Sequence, residues 1–294
     1  MVSNNKYFLS HEEPRLDQNR LDLMIRHALL EDIGKGDITT ELTISKNKIV
    51  KAVVIAKENC VLCGMEVLER VFQIVDKDIE FIPKAKEGGK LKKEKTIAII
   101  QGKAFRILEG ERVALNLLSH LSGVATKTRE YVEMVKSHKV KITDTRKTMP
   151  GLRELQKYAV RIGGGFNHRM ALDEMILIKD NHLQITEGYT QLPKVPKGYK
   201  IEVEVENMAE FKHALKFKPD VIMLDNMKLE DIKEAVKIRN NTPFSSHHPQ
   251  TKLEVSGGVN LDTLKDIASA GIDLISVGEL THSVKAIDFS LDIC

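Results

Sequence analysis

Cysteine is scarce in this sequence. Only Cys60, Cys63 and Cys294 occur among its 294 residues, so a disulfide framework would leave one thiol unpaired. Cys60 and Cys63 form a C-x-x-C pair, but no second pair of cysteines or histidines follows at zinc-ribbon spacing. Their neighbours Val61 and Leu62 are apolar, which favours buried core residues over a redox or metal site. We therefore expect a reducing, cytoplasmic location.

Long apolar runs and an excess of one charge are also lacking. No apolar run approaches the roughly 18 residues of a transmembrane helix, and the N-terminus does not have the charged-then-apolar order of a signal peptide. The 45 basic and 42 acidic residues nearly cancel, which gives a net charge of +3. This balance gives no basis for nucleic-acid binding by bulk electrostatics, so any anion site must come from local clustering. The hydrophobic content of 42% predicts a globular protein with a substantial core.

The first part of the chain mixes two periodicities. Apolar residues at helical spacing predict helices over 16–31 and 65–75. The β-branched runs over 49–56, 79–82 and 96–100, which glycines separate, predict strands. Together they indicate a small N-terminal α+β domain, which we place at residues 1–115.

A long helical pattern over 109–137 joins this domain to the next. Because Gly123 interrupts the pattern, we expect a kink or two helices there. The second domain is placed at residues 116–280.

Strand-like and helical patterns alternate after residue 138. The predicted strands are 140–143, 175–178, 201–205, 221–224, 253–256 and 272–277. The predicted helices are 152–162, 208–217, 228–239 and 261–270, and Asn207, Asn226 and Asn260 stand where N-caps belong. Repeated β-then-α order predicts a parallel sheet, closed or doubly wound. With a possible seventh strand at 165–168, the pattern favours a barrel smaller than the usual eight strands.

Carboxylates follow the middle strands of this sheet. Glu202, Glu204 and Glu206 share one face of a strand at period two, and the next strand ends at Asp225. An edge strand with a wet face is the alternative interpretation. In a barrel that face points inward or to the rim, where carboxylates require cations or a metal.

Glycines follow the late strands. Ser256, Gly257 and Gly258 precede a predicted helix, and Gly278 follows the last strand. Such loops bring backbone N–H groups to an anion, and a phosphate site between the last two strand–helix loops recurs in barrels. Tight turns also select glycine, so the motif alone is weak. With the carboxylates, it predicts a substrate with several phosphates bound with Mg²⁺.

Cations crowd the segment 144–182. They are Arg146, Lys147, Arg153, Lys157, Arg161, His168, Arg169, Lys179 and His182. A solvated basic helix is the simplest interpretation of this composition, and Lys157 and Arg161 suit it. The carboxylate strands and the glycine loops favour a different interpretation for the rest, in which they bind an anionic substrate.

Thirteen short motifs, in chain order, resemble the quinolinate phosphoribosyltransferase family, which is also named nicotinate-nucleotide pyrophosphorylase. They are EDIG (31–34), GDITT (36–40), ER (111–112), LN (115–116), DTRKT (144–148), PGLR (150–153), KYAV (157–160), GGG (163–165), HR (168–169), IKDNH (178–182), EVEV (202–205), LDN (224–226) and SGG (256–258). Two features depart from the family pattern. Met149 replaces an expected small polar residue, and the loop 240–252 is long and contains His247 and His248.

The resemblance implies a fold and an assembly. The fold would be α/β, with an N-terminal α+β sandwich domain and an incomplete barrel of about seven strands, and the C-terminal tail 281–294 would return to the first domain. Members form homodimers, sometimes hexamers, whose active site joins two subunits. Arg112 would enter the neighbouring subunit's site.

The resemblance also implies the roles of site residues. Arg146, Lys147, His168, Arg169 and Lys179 would bind the carboxylates of quinolinate and the pyrophosphate. Glu204 and Asp225 would bind ribose hydroxyls and Mg²⁺, partly through water and substrate. Lys147, Lys179, Glu204 and Asp225 would form the catalytic set, and the 5-phosphate would lie against the backbone of Ser256, Gly257, Gly258 and Gly278.

The implied enzyme is nicotinate-nucleotide diphosphorylase (carboxylating). It would convert quinolinate and phosphoribosyl pyrophosphate to nicotinate mononucleotide, pyrophosphate and carbon dioxide, in de novo NAD biosynthesis. Two alternatives remain open, namely a same-fold transferase with another anionic acceptor and a catalytically silent phosphate-binding barrel. The presence of Lys179, Glu204 and Asp225 argues against the silent barrel. Neither nucleic acid nor membrane is an expected partner.

Overall fold

The computed structural model describes residues 14–185, 196–243 and 250–294 and shows a mixed α/β protein. Its helices are α1 (Gln18–Ile33), α2 (Ile38–Thr43), α3 (Met65–Val75), α4 (Ala104–Met134), α5 (Arg153–Gly163), α6 (Asp180–Ile185), α7 (Met208–Leu215), α8 (Leu229–Asn241), α9 (Leu261–Ser269) and α10 (Glu279–His282). Its strands are β1 (Ile49–Ala56), β2 (Cys60–Val61), β3 (Glu80–Pro83), β4 (Lys90–Leu91), β5 (Lys95–Lys103), β6 (Lys141–Thr143), β7 (Ile176–Ile178), β8 (Ile201–Val205), β9 (Val221–Asp225), β10 (Lys252–Ser256), β11 (Leu274–Ser276) and β12 (Phe289–Ile293).

The described residues form two compact units. One, the antiparallel-sheet unit, comprises 14–129, 149–164 and 281–294, and the other, the parallel-sheet unit, comprises 130–148 and 165–280. Helix α4 is continuous, and the boundary that we placed between residues 115 and 116 lies within it. Helix α5 belongs to the antiparallel-sheet unit.

The antiparallel-sheet unit is built on a sheet in the order β12-β1-β5-β3. Strand β1 alternates in burial, with Ala52, Val54 and Ala56 fully buried, because successive side chains of a strand point to opposite faces. The C-terminal strand β12 pairs antiparallel with β1, so the end of the chain completes this sheet. Cys60 and Cys63 are free and buried in the same unit, as the apolar neighbours predicted.

Gly123 does not divide helix α4, so the prediction of two helices is wrong. A Cβ atom at this position would lie 2.8 Å from Val284 Cγ1. The residue is glycine because the C-terminal segment approaches the helix too closely for a side chain.

A second sequence interpretation also needs correction. Lys157 on α5 is fully buried, not a residue of a solvated helix face. The helix is amphipathic, and Leu155, Ala159 and Val160 are buried with it. The sequence interpretation placed Lys157 at the surface because lysine side chains are rarely fully buried.

The parallel-sheet unit contains a six-stranded sheet in the order β6-β11-β10-β9-β8-β7, and every neighbouring pair in it is parallel. Phe166 adds a short parallel bridge to Thr143 at the β6 edge, at the position of the predicted seventh strand. This arrangement is that of the incomplete α/β barrel that we expected. Its central strands are buried on both sides, and all five residues of β8 are buried.

The structure confirms two of the three predicted helix N-caps. The side chains of Asn207 and Asn260 accept hydrogen bonds from the first backbone N–H groups of α7 and α9. The prediction for Asn226 is wrong, because the N-cap of α8 is Lys228. Within the part of the chain that the structure describes, no helix has the length and apolar character that a membrane crossing requires.

Candidate active site

The predicted site residues of the parallel-sheet unit follow the carboxyl ends of its strands. Because parallel strands end at one edge of a sheet, these residues share one rim. In strand order they are Arg146 and Lys147 after β6, Gly278 after β11, Ser256 to Gly258 at the end of β10, Asp225 at the end of β9, Glu204 near the end of β8 and Lys179 after β7. The sheet order therefore brings together side chains that are more than a hundred residues apart in sequence.

Lys179 and Glu204 form an ion pair across neighbouring strands β7 and β8. The Glu204 side chain is buried, whereas that of Lys179 is 41% exposed, so the ammonium group faces the solvent side of the rim. Burial raises the pKa of Glu204, Lys179 opposes this rise, and the charges of Asp225 and Asp180 add to it. Three carboxylates thus lie close to a single lysine, which is a favourable environment for a cation.

Asp225 and Ser256 lie opposite each other where β9 and β10 end. Asn226 follows in a left-handed conformation with φ of 52°, and its amide Nδ2 donates to Asp225 Oδ2 at 2.8 Å. Its backbone N–H donates to the Ser256 carbonyl oxygen at 3.0 Å. Asn226 therefore fixes the Asp225 carboxylate and the start of the glycine loop at once, whereas its sequence position predicted a helix N-cap.

The glycine loop after β10 has the conformation of a turn that only glycine adopts readily. Gly257 and Gly258 have φ of 81° and 63°. The neighbouring β11, paired in parallel with β10, leads to Gly278, so both predicted phosphate loops lie at the same edge. This side-by-side placement is what a backbone phosphate site requires.

Arg169 lies in a buried position close to another cation. Its guanidinium Nη1 donates to the Met175 carbonyl oxygen at 3.0 Å. Burial first, and then the charge of Arg146, lower the pKa of Arg169. Two neighbouring guanidinium groups that repel each other are suited to a dianionic ligand, because arginine binds carboxylates in a bidentate manner.

A buried polar network lies beneath the rim. His168 Nε2 is 3.0 Å from Glu202 Oε2 and 3.7 Å from Glu254 Oε1, and Ser276 Oγ donates to Glu254 Oε1 at 2.5 Å. Burial, followed by the charge of Glu202, raises the pKa of Glu254 to about 8. Glu254 was not predicted as a site residue. The only signal in the sequence was a glutamate inside an otherwise apolar strand.

Two predicted residues have exposed side chains. Lys147 is exposed on the loop after β6, where its backbone N–H donates to Thr145 Oγ1 at 3.0 Å. Arg112 lies on α4 in the antiparallel-sheet unit, with its side chain 61% exposed beside Glu111. Met149 is exposed, and His247 and His248 lie outside the described residues.

Comparison with known proteins agrees with this arrangement. The sequence profile of the quinolinate phosphoribosyl transferase N-terminal domain matches residues 37–122, and that of the C-terminal domain matches residues 124–292. A protein of Bacillus subtilis (strain 168), named probable nicotinate-nucleotide pyrophosphorylase [carboxylating], is 39% identical over 93% of this chain and 93% of its own. A protein of the same name from Methanocaldococcus jannaschii is 42% identical over 92% of this chain and 96% of its own.

Solved structures agree as well. The nicotinate-nucleotide pyrophosphorylase from Francisella tularensis superposes with a TM-score of 0.87 at 38% identity, covering 96% of this chain and 99% of that one. The two domain profiles together span most of the sequence, and the relatives match nearly from end to end. The chain belongs to the quinolinate phosphoribosyl transferase family.

Proposed function

We propose that this protein transfers the phosphoribosyl group of phosphoribosyl pyrophosphate to quinolinate with decarboxylation. The products are nicotinate mononucleotide, pyrophosphate and carbon dioxide, a step of NAD biosynthesis. The observation that carries the proposal is the rim itself, where cations on β6 and β7 meet carboxylates on β8 and β9 and glycine loops on β10 and β11. The curated relatives that match most of the chain carry the name of this activity.

The chemistry of the reaction suits these groups. Departure of pyrophosphate leaves positive charge on the ribose ring, and the carboxylates of Glu204 and Asp225 stabilise that charge. Arg146, Lys147 and Arg169 hold the carboxylates of quinolinate, so that the pyridine nitrogen faces C1 of the ribose. This positioning lowers the entropic cost of bringing the pyridine nitrogen and C1 into the geometry for attack. Lys179 is paired with Glu204 and partly exposed, so its ammonium group is available to bind the leaving pyrophosphate.

Magnesium fits the carboxylate side of the rim. Glu204 is buried close to the charges of Asp225 and Asp180, and a single lysine offsets them. Glu204 and Asp225 would hold the ion, with water and substrate phosphates completing its shell. When bound, it would neutralise charge on the pyrophosphate. The Ser256, Gly257, Gly258 and Gly278 backbone would bind the 5-phosphate.

The active protein is proposed to be a homodimer, or a hexamer built from such dimers, in the cytoplasm. Arg112 supports the assembly proposal, because its exposed guanidinium lies in the unit that does not contain the rim. In this arrangement Arg112 of one subunit would complete the anion site of another. The free thiols of Cys60, Cys63 and Cys294 agree with a reducing compartment.

The test is a product assay. Purified protein with quinolinate, phosphoribosyl pyrophosphate and Mg²⁺ should yield nicotinate mononucleotide and an equal amount of carbon dioxide, detected by chromatography and by release of label from the 2-carboxyl carbon. A parallel reaction with nicotinate should yield no nucleotide. Product from nicotinate or another base, with none from quinolinate, would show a same-fold transferase with a different acceptor. No product from any base would favour the silent barrel.

A further inference from the structure

The ring of His168 is held by the protein at both of its nitrogen atoms. The backbone N–H of Arg169 donates to His168 Nδ1 at 2.8 Å. A backbone amide can only donate, so Nδ1 carries no proton and the remaining proton of the ring is on Nε2. That proton points to Glu202 Oε2, 3.0 Å away. The ring is therefore neutral, its side chain is only 6% exposed, and neither nitrogen is left to bind a substrate carboxylate.

The same geometry argues against a metal ion in this network. The ligand atoms of His168, Glu202 and Glu254 lie within 4.8 Å of one another, as they would around a divalent cation. A metal at Nε2 would need the lone pair of that nitrogen, and the proton would then have to be on Nδ1. The amide of Arg169 occupies that position as a donor. Hydrogen bonding, not metal binding, accounts for the arrangement.

The segment that carries Arg169 is held from two sides. Asp144 accepts the backbone N–H of His168 at Oδ1, 2.9 Å away, and Asn167 Nδ2 donates to Asp144 Oδ2 at 2.6 Å. One residue later, the His168 ring holds the backbone N–H of Arg169. Glu202, which lies on the buried strand β8, fixes the orientation of the ring. This chain of contacts joins the floor of the barrel to the backbone from which the Arg169 guanidinium extends.

Support of the backbone at His168 and Arg169 affects where the Arg169 guanidinium lies. Arg169 lies close enough to Arg146 for the two charges to repel, so without support Arg169 would turn away before a dianion arrives. A displacement of about 1 Å in a positioning group can cost on the order of 10²-fold in rate. We propose that His168 is a neutral positioning residue that fixes Arg169, and that it does not itself contact the substrate. This inference rests on the proposed function only for the identity of the ligand.

Nitrogen-15 spectra of the full-length protein, labelled at histidine, test the ring directly. At pH 7 we expect one resonance of pyrrole type at Nε2, with a slowly exchanging proton, and one of pyridine type at Nδ1. The signals are assigned by their loss in His168→Gln. They should be unchanged by quinolinate and by a chelator. A proton on Nδ1, on both nitrogens, or a chelator-sensitive Nε2 signal would overturn the proposal. This measurement does not depend on any product being formed.

Quinolinate binding by calorimetry supplies the second test. His168→Gln keeps an amide donor for Glu202 and should bind within about threefold of wild type, whereas His168→Ala should bind about tenfold more weakly. His168→Arg adds a cation and should be no better than His168→Ala. If His168→Arg retained wild-type affinity while His168→Gln lost it, the residue would be a charged substrate ligand. Melting temperatures verify that each variant is folded.

A double-mutant cycle separates positioning from direct binding. Arg169→Ala removes the group that His168 is proposed to hold, so His168→Ala/Arg169→Ala should bind quinolinate no more weakly than Arg169→Ala alone. Additive losses would show that the two side chains contact the ligand independently. Failure of wild type to bind quinolinate would refute the proposed function, while the spectra would still decide the state of His168.

Discussion

The side-chain amide of Asn226 fills the space that a side chain at position 257 would need. A Cβ atom at Gly257 would lie 2.5 Å from Asn226 Cγ, well inside van der Waals contact. Both residues have positive φ, at 52° and 81°, so two left-handed turns meet where β9 and β10 end. Asn226 also donates to the Asp225 carboxylate and to the Ser256 carbonyl oxygen. The side-chain amide and the backbone N–H of Asn226 together link the carboxylate side of the rim to the glycine loop.

This relationship predicts that Gly257→Ala disables the site. The methyl group must displace Asn226, which releases Asp225, and the left-handed backbone adds strain of roughly 1 kcal/mol. We expect kcat/KM for phosphoribosyl pyrophosphate to fall by about 10²-fold, because both the phosphate loop and the carboxylate move. Steady-state kinetics with quinolinate at saturation measure the effect.

Two further variants identify the cause of that loss. Gly198 also has positive φ, at 94°, but no atom lies within 4 Å of a Cβ built there. Gly198→Ala therefore carries the backbone strain alone and should leave kcat/KM within about twofold of wild type. The pair Gly257→Ala/Asn226→Gly removes the clash, and part of the phosphate affinity should return. Without any recovery, the collision with Asn226 would not be the cause.

Local periodicity was enough to predict the elements that position the site. Strands β1 and β8 and helix α3 have the predicted bounds, because their apolar spacing is a property of short segments. Parallel order then placed Lys179, Glu204 and Asp225 at one rim, since the ends of parallel strands share an edge. These residues lie near one another because the strands are parallel, and the alternation of strand and helix patterns in the sequence already predicted a parallel sheet.

Contacts across the sheet were not predictable in the same way. Glu202 and Glu254 lie on β8 and β10, which are separated by β9, and both approach a histidine from a loop. No local sequence pattern predicts a contact among three residues from separate elements, because that contact depends on how the sheet curves. The role of Asn226 was missed for a related reason. Its sequence position suits a helix cap, whereas its side chain binds Asp225 in the preceding strand.

Two glutamates, one within β8 and one just after it, distinguish the site from its surroundings. Glu204 is buried and paired with Lys179, whereas Glu206, two residues later, is exposed. Glu204→Gln removes a carboxylate from the rim and should lower kcat by about 10²-fold, together with a higher Mg²⁺ requirement. Glu206→Gln makes the same chemical change outside the rim, and activity should stay within about twofold of wild type. Equal losses in both variants would mean that net charge alone matters.

The raised pKa of Glu254, about 8, predicts how stability depends on pH. An unfolded glutamate titrates near its ordinary pKa of about 4.3, so between these values the native state binds more protons than the unfolded state. The free energy of unfolding then falls as the pH rises through this window, by up to about 1.4 kcal/mol per pH unit. Glu254→Gln cannot ionise and removes this part of the dependence.

The measurement is a comparison of melting temperatures between pH 6 and pH 9. Relative to wild type, Glu254→Gln should gain stability as the pH rises to about 8, because over this range the unfolded wild-type Glu254 is ionised while the buried native one is still protonated. Above that pH the difference should level off. Other groups with raised pKa, such as Glu204, are present in both proteins and cancel in the difference. A constant difference across the range would show that native and unfolded Glu254 bind the same number of protons there, and that its pKa is not raised.

Arg112 decides whether the active site is shared between subunits. Its side chain is 61% exposed and its guanidinium lies 3.7 Å from the Glu111 carboxylate, so reversal of its charge should not unfold the helix. Arg112→Glu should lower kcat/KM by at least about 100-fold, because it places an anion where a dianionic substrate binds. Lys77→Glu reverses the charge at another exposed position of the antiparallel-sheet unit, so it is the control and should remain active.

Mixing two inactive variants then tests the geometry. Arg112→Glu and Lys179→Met are co-expressed, so that half of the dimers contain one chain of each kind. If Arg112 acts in its partner's site, one of the two sites in each mixed dimer has both wild-type residues. About one quarter of wild-type activity should return. If Arg112 serves the site of its own chain, every site carries one defect and no activity returns, because no combination of subunits restores both residues.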